Sequence, residues 1–562
     1  MRKFVFIACV AAVAVASTVW AGDVRYWDRD GVLQGTFVGA SWAQLQTAIT
    51  TAQTGGSLPT DIGEVRISGD IDRDPGETQL TISTGYVRIS GGWDAAFTTQ
   101  SGRSTLDVDE TAHGDQRGFL IQNAPKVALD SIYLTDHAAH DDPTGQVGGR
   151  EGSGIWADNV DFLVLTNTVI HSGYASGTST ADGSGVFIRN ADGLRMSDCQ
   201  FIANYNAGSA SNGEGGPISL ENVGTAVHPA VIEGTIIRDN NTTGGLAGAI
   251  YHRNGGVLYV VNSHIYRNNA PVTIRVASTT TRTVLFGCLI EGNVETDASV
   301  ANYIYSVYAN AGGGVDSGNG YVTLANCTIA SNYSSAAGSP PPLAQRGRLG
   351  AVAVNNGVAF QDNLNLINTI VSQDPRLYAF YDSGEYAYVD LQACTFYMEG
   401  LTNYFHAEYA ASVYDTWTNV VEAMTNMDSG GRYRFNNRNR TTGARETTVS
   451  GNNWQADPGL MSTGAWPYAL RKLRTDGATE NAVDKGVVRV DGAGFMYVDI
   501  DHDASFTTNI DIVVFGTGYP ANSLFVYTKD MAGNLRYQGK GIDRGYFETE
   551  PPPPLKTIMY FR

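Results

Sequence analysis

The chain has 562 residues, a formal net charge of −19 and 65 glycines. That length exceeds one ordinary globular core, so the core must be elongated or divided. The acidity sets the chain against nucleic acid and anionic membranes as partners and leaves a calcium ion admissible, while the lack of any C-x-x-C pair removes the usual zinc signature.

Residues 1–21 read as a secretory signal. Arg2 and Lys3 give a basic start, Val5 to Ala16 is almost wholly apolar, and Val19-Trp20-Ala21 supplies small residues for cleavage before Gly22. The expected location is therefore secreted, extracellular or cell-surface. No later stretch approaches the ~20 apolar residues of a membrane-crossing helix. Residues 22–62 are expected to form an N-terminal cap. In "SWAQLQTAITTAQTGG", Ser41 can serve as N-cap, and Trp42, Leu45, Ala48, Ile49 and Ala52 fall on one helical face.

Residues 63–400 carry a repeat. Eight windows are anchored on a small residue: Thr168, Cys199, Thr235, Ser263, Cys288, Cys327, Thr369 and Cys394. Two residues later stand Ile170, Phe201, Ile237, Ile265, Ile290, Ile329, Val371 and Phe396. Three residues earlier stand Leu165, Met196, Ile232, Val260, Leu285, Leu324, Leu366 and Leu391. Five residues later, Asn204, Asn240, Asn268, Asn293 and Asn332 recur. Short alternating runs broken by Gly, Asn, Asp and Ser indicate strands and turns. Constant windows with variable spacers suggest coils of a parallel β-solenoid with loops of different length. The anchor column then points inward where only a small side chain fits, and cysteine behaves there as a small hydrophobe. A disulfide is the alternative, but residues stacked in one column point the same way, which suits a bridge poorly. A second asparagine column, Asn123, Asn159, Asn190, Asn222 and Asn254, marks another turn. Asparagine tolerates the left-handed backbone of a tight bend, and stacked amides can bond up the column.

The capping helix followed by "GEVRISGD", and "VRISGGWDAAFTTQSGRSTLDVD" at Val87 to Asp109, resemble the early coils of secreted bacterial proteins with the right-handed parallel β-helix, or pectin-lyase-like, fold. Residues 457–548 resemble a choice-of-anchor Q module through "DPGLMS", "YALRKL", "NAVDKG" and "GIDRGYFE". The resemblance implies an all-β fold and the right hand of the helix. Residues 401–456 read as an insertion in which Ala407 to Met427 is expected to be helical, with Val413, Trp417, Val420, Val421 and Met424 near one face. Residues 549–562 form a tail opening on four prolines, with no anchor motif.

Alternation places Ile155, Val186, Ile218 and Ile250 inward and Trp156, Phe187, Ser219 and Tyr251 outward, flanked by Asp158, Arg189, Glu221 and Arg253. An exposed stripe of Trp156, Phe187 and Tyr251 would accept sugar rings on its aromatic faces; the competing reading puts these rings beneath loops as a satellite core. His252 is expected inside. A second outward row is His171, Arg238, Tyr266 and Glu291, with His264 outward beside it. In "HAAHDDP", Asp141 and Asp142 can hold calcium, or His137 and His140 a transition metal. The resemblance admits a polysaccharide lyase, for which Arg189 or Arg253 with Glu221 and Asp158 would be the catalytic set, but polygalacturonase signatures are missing. The leading expectation is a monomeric, non-catalytic scaffold without a required cofactor, contacting polysaccharide or a surface protein. The alternative is a lyase or glycoside hydrolase acting on acidic polysaccharide.

Overall fold

The computed structural model describes residues 22–56, 61–74, 77–108, 117–139, 151–177, 182–208, 215–242, 247–270, 272–277, 280–295, 304–310, 321–330, 332–334, 349–355, 364–373, 378–382, 387–398, 405–407, 412–414, 433–438, 445–446, 454–455, 460–463, 466–470, 488–501, 505–530, 536–538 and 541–542. Nearly every regular element among them is a strand.

The strands stack into parallel walls. The first wall passes through Leu80–Ile82, Phe119–Gln122, the start of Ile155–Thr166, the start of Val186–Ser197, Ile218–Val223 and the start of Ala247–Val261. It continues through Val272–Ala277 to Phe405–Ala407. The second wall holds the later halves of the long strands, from Gly63–Ser68 to Tyr433–Arg438. The third is an all-parallel sheet running from Ile71–Asp72 to Trp454–Gln455. A short fourth strip joins Ala138–Ala139, Tyr174–Gly177, Tyr205–Gly208 and Asn241–Thr242. These long parallel sheets are consistent with a solenoid.

The expected columns coincide with the pairing register. Ile170 opposes Phe201, Phe201 opposes Ile237, and the series continues through Ile265, Ile290, Ile329 and Val371 to Phe396. Leu165, Met196, Ile232, Val260, Leu285, Leu324, Leu366 and Leu391 are likewise consecutive partners. All but Phe396, whose side chain is not described, belong to one continuous apolar core.

The turns explain the polar columns. Asn123, Asn159, Asn190, Asn222 and Asn254 all adopt positive φ, between 52° and 59°, where the first wall bends into the second. A further left-handed column, missed in the sequence, sits just before each small anchor at Asn167, Asp198, Gly234, Asn262, Gly287, Asn326, Asn368 and Ala393, and before Ile132 at Ser131. In the Asn204 column the left-handed residue is the one before the amide (Ala203, Asp239 and Arg267), so those asparagines are kept for hydrogen bonding. Asn204 Nδ2 donates to Asn240 Oδ1 (2.9 Å), Asn240 to Asn268 (2.8 Å), Asn268 to Asn293 (3.0 Å) and Asn293 to Asn332 (2.9 Å).

The small column is also a donor column. Cys199, Cys288, Cys327 and Cys394 are free and buried. Each thiol faces the carbonyl two residues back and one on the neighbouring coil, as Thr369 Oγ1 does. Small size and a donor are both satisfied there, and no bridge forms.

At the N-terminal end, Asp23–Trp27 runs antiparallel to both Gly63–Ser68 and Leu33–Phe37. The helix α1, Trp42–Ala52, lies against the first strands with Trp42, Leu45, Ala48, Ile49 and Ala52 buried. Ser41 and Gln44 close a reciprocal capping box at its start. Gly63 is required beneath it, since a Cβ there would lie 1.8 Å from Ala52 O.

Two expectations are corrected. The parallel walls do not stop at residue 400: Phe405–Ala407, Tyr433–Arg438 and Trp454–Gln455 each continue a wall. Nor is the segment after Ala407 helical where it is described, because Ser412–Tyr414 is a strand antiparallel to Phe405–Ala407. The expected helix face from Trp417 to Met424 lies outside the described residues.

In the C-terminal module, Arg489–Val490, Met496–Val498 and Ile512–Phe515 form an antiparallel sheet. Val498, Ile500, Ile512, Val514 and Phe525 pack on Tyr259, Val261, Val284, Phe286, Ala325 and Ile367, the outward residues of the second wall. Tyr259 stacks on Phe525 at 3.8 Å between ring centroids. Arg536 is fully buried, lies over the Phe286 ring at 4.4 Å and donates to Asn262 Oδ1 at 2.6 Å.

A candidate functional face on the first wall

The outward rows expected from alternation are in register. Leu120, Trp156, Phe187, Ser219, Tyr251 and Arg275 are successive partners, as are Gln122, Asp158, Arg189, Glu221 and Arg253. Ile155, Val186, Ile218 and Ile250 face the core.

The expected exposure of the aromatic row is corrected. Trp156, Phe187 and Ser219 are 0 % exposed and Tyr251 is 2 % exposed. The backbone doubles back over them just before each strand. Gly152 has φ +63°, and a Cβ there would lie 2.9 Å from Trp156 Cα and 3.0 Å from Phe187 Cβ. Gly152 N donates to Asp182 O, and Gly215 N to Asp182 Oδ1. The rings therefore pack as a second core outside the wall: Trp156 stacks with Phe187 at 6.5 Å, and Arg117 and Arg189 lie over Trp156. A sugar cannot reach their faces in this arrangement.

The charged row forms ion pairs between coils. Arg189 meets Asp158 through two bonds, Nε to Oδ1 at 3.2 Å and Nη2 to Oδ2 at 2.7 Å. Arg253 reaches Asp182 at 2.9 Å and Glu221 at 3.2 Å. The hydrogen bond to Asp158 raises the Arg189 pKa above its ordinary value. For Arg253, burial works against the charge, but Asp182 and Glu221 outweigh it and the pKa is raised. Burial works to raise Asp158, yet the bonds from Arg189 and Asn190 hold it below the usual carboxylate value. Both arginines thus stay protonated and engaged, and neither is set to take a proton from a substrate.

Sequence reasoning missed Glu151 and Asp182. Both stand before their strands, where no period constrains them. Burial and then the Asp182 charge raise Glu151, whose Oε2 accepts from Trp156 Nε1 at 3.4 Å.

The other expected sites divide. Asp141, Asp142 and His140 lie outside the described residues. His137 is fully buried against Ser153 Oγ at 3.0 Å, and burial lowers its pKa to about 3, so it is a neutral interior side chain. His252 is also interior, with Nδ1 2.9 Å from Thr283 Oγ1. In the third wall, His171, Ile202, Arg238, Tyr266 and Glu291 are in register; Glu291 is buried against His264 Nε2 at 2.7 Å, while His171, Arg238 and Tyr266 remain partly exposed. Among the described residues, Asp499, Asp501 and Asp511 bring carboxylate oxygens within 4.8 Å, close enough to hold a cation. Burial lifts Asp511 to about 7, and Arg489 already pairs with Asp499.

No helix among the described residues is long and apolar enough to cross a membrane. Comparison with family models, curated proteins and solved structures finds no match to this chain.

Proposed function

We propose that the chain is a secreted or cell-surface bacterial protein whose coils form a right-handed parallel β-helix of the pectin-lyase-like kind, closed by the N-terminal helix and by a choice-of-anchor Q-like module, and that it works as a non-catalytic scaffold for contact with polysaccharide or a surface protein. One observation carries the non-catalytic reading: the arginines of the would-be lyase set are held in ion pairs by the carboxylates of the same set. A lyase needs a basic group able to release its own proton and accept another beside the substrate, whereas these two have their pKa values raised.

With the aromatic row buried, the contact surface we favour is the third wall. His171, Arg238 and Tyr266 stand there on successive or near-successive coils and remain partly exposed. The test is incubation with a panel of uronic-acid and sulfated polysaccharides, reading unsaturated products by absorbance and new reducing ends, alongside binding to the same panel. Binding without turnover, weakened by Arg238→Ala and Tyr266→Ala, is expected. Unsaturated products or new reducing ends would replace this reading with a lyase or glycoside hydrolase.

A further inference from the structure

The N-terminal end of the solenoid carries an unusual edge. From Gly31 to Thr60 there is no charged side chain, in a chain whose net charge is −19. The strand Leu33–Phe37 lies at the outer margin of an antiparallel patch whose order is Leu33–Phe37, Asp23–Trp27, Gly63–Ser68. Among the described residues its other edge has no strand partner. Of the large apolar residues exposed among the described residues, Val32 (55 %), Leu33 (52 %) and Val38 (81 %) lie in or beside this strand.

An open strand edge is a template for another strand, and natural edges are normally blunted by charge, proline or shortness. None of these devices is present between Gly31 and Ser41. The opposite end differs. There the last described rungs are followed by the very short antiparallel strands Ser412–Tyr414 and Arg445–Glu446, the second of them charged.

We infer that Leu33–Phe37 pairs antiparallel with the same strand of a second copy, joining two chains head to head about a two-fold axis. Charge selects the second copy as occupant. Two molecules with this net charge repel over most of their surfaces, and a self-contact is least opposed along the uncharged Gly31–Thr60 stretch, where the Asp28 carboxylate is already engaged by Val32 N and Gln34 Nε2 and the Asp23 carboxylate by Gly39 N. A two-fold antiparallel pairing is self-complementary, and it closes after two chains because each has one such uncharged edge among its described residues. The five-residue edge with Val32 and Val38 beside it offers well under the ~800 Å² per partner of a standard interface. The dimer is therefore weak, with Kd in roughly the micromolar to 100 µM range, in place of the monomer expected from sequence.

Sedimentation velocity of the chain across a concentration series, at about 50 mM and about 500 mM salt, tests this; screening of the net charge strengthens the dimer at the higher salt. Leu33→Lys and Val38→Lys replace exposed side chains, so their thermal unfolding matches the parent while the dimer is lost. A parent that stays monomeric at high concentration in both salts overturns the proposal, and so does a dimer that persists unchanged in both lysine variants. Capture of an extended peptide by a chain that never dimerises also overturns it, by giving the edge a different occupant.

Discussion

Asn268→Ala removes one rung of the buried amide ladder and tests the stacking on which the fold rests. Asn268 Oδ1 accepts from Asn240 N at 3.1 Å and from Asn240 Nδ2 at 2.8 Å. Its Nδ2 donates to Ile237 O at 3.0 Å and to Asn293 Oδ1 at 3.0 Å. Truncation orphans the Asn240 N–H and one proton of Asn240 Nδ2, while Ile237 O, which lies in the parallel pairing with His264–Tyr266, loses only its second donor. Asn293 Oδ1 keeps the bond from Asn268 N–H at 3.0 Å. Two buried groups at about 1–3 kcal/mol each, discounted for water entering the vacated space, give about 2–4 kcal/mol. Asn159→Ala is the control: it loses one exposed bond, 2.7 Å to Asn123, and places alanine at φ +56°, costing about 1 kcal/mol. The assay is urea unfolding combined with native-state hydrogen exchange, because a coil array can open locally before it unfolds globally. Exchange of the Asn240, Asn268 and Asn293 amides should rise together. A loss below about 1 kcal/mol, with those amides still protected, would refute the ladder as a stabilising column.

Cys288→Ser should cost little, about 1 kcal/mol or less, since a hydroxyl reproduces the thiol's bonds and Ser263 already does so one coil away; Cys288→Leu should destabilise by a few times more through overpacking, read by thermal unfolding. Trp156→Ala should lower stability by about 3–5 kcal/mol, as expected of a buried ring and not of a surface platform. Asp511 has its folded pKa raised to about 7 by burial, so its contribution is fully present below the ordinary carboxylate range and is lost as pH rises through 7, on the order of 4 kcal/mol in all; thermal melts between pH 4 and pH 8 measure it. Gly287→Ala should loosen the C-terminal module, because a Cβ at Gly287 would lie 2.0 Å from Arg536 Nη2 and would have to adopt φ +62°; faster proteolysis of the module with the walls intact is the readout.

Much of the solenoid was legible because a coil leaves little freedom. Ile237 and Ile265 must occupy the same height on the same wall, so their spacing from Thr235 and Ser263 is fixed while the loops between them vary. Parity was legible for the same reason: it placed Trp156 outward and Ile155 inward. Exposure was not, because it depends on Gly152 and Asp182, which precede the strands and obey no period. Ser412–Tyr414 is an antiparallel strand although Val413 and Trp417 fit a helical spacing, because four-residue spacing alone cannot separate a hairpin from a helix over so short a run.

The second wall held a signal that alternation reasoning passed over. A wall wet on one side should alternate, but Val257 to Val261 and Val284 to Phe286 are apolar at successive positions. Such a run demands cover on both faces. The cover comes from the far end of the chain: Tyr259 Oη donates to Ile510 O at 3.2 Å, Asn509 Nδ2 to Ala226 O at 3.1 Å, and Phe525 lies on the Tyr259 ring. The C-terminal module is therefore the missing outer layer of coils more than two hundred residues earlier in sequence. Its docking must precede full burial of the second wall, so truncating the chain before Val488 should expose Tyr259, Val284 and Phe286 together and produce a strong increase in binding of a hydrophobic dye. A truncated chain that binds no more dye than the full one would mean that the apolar run is covered by something else.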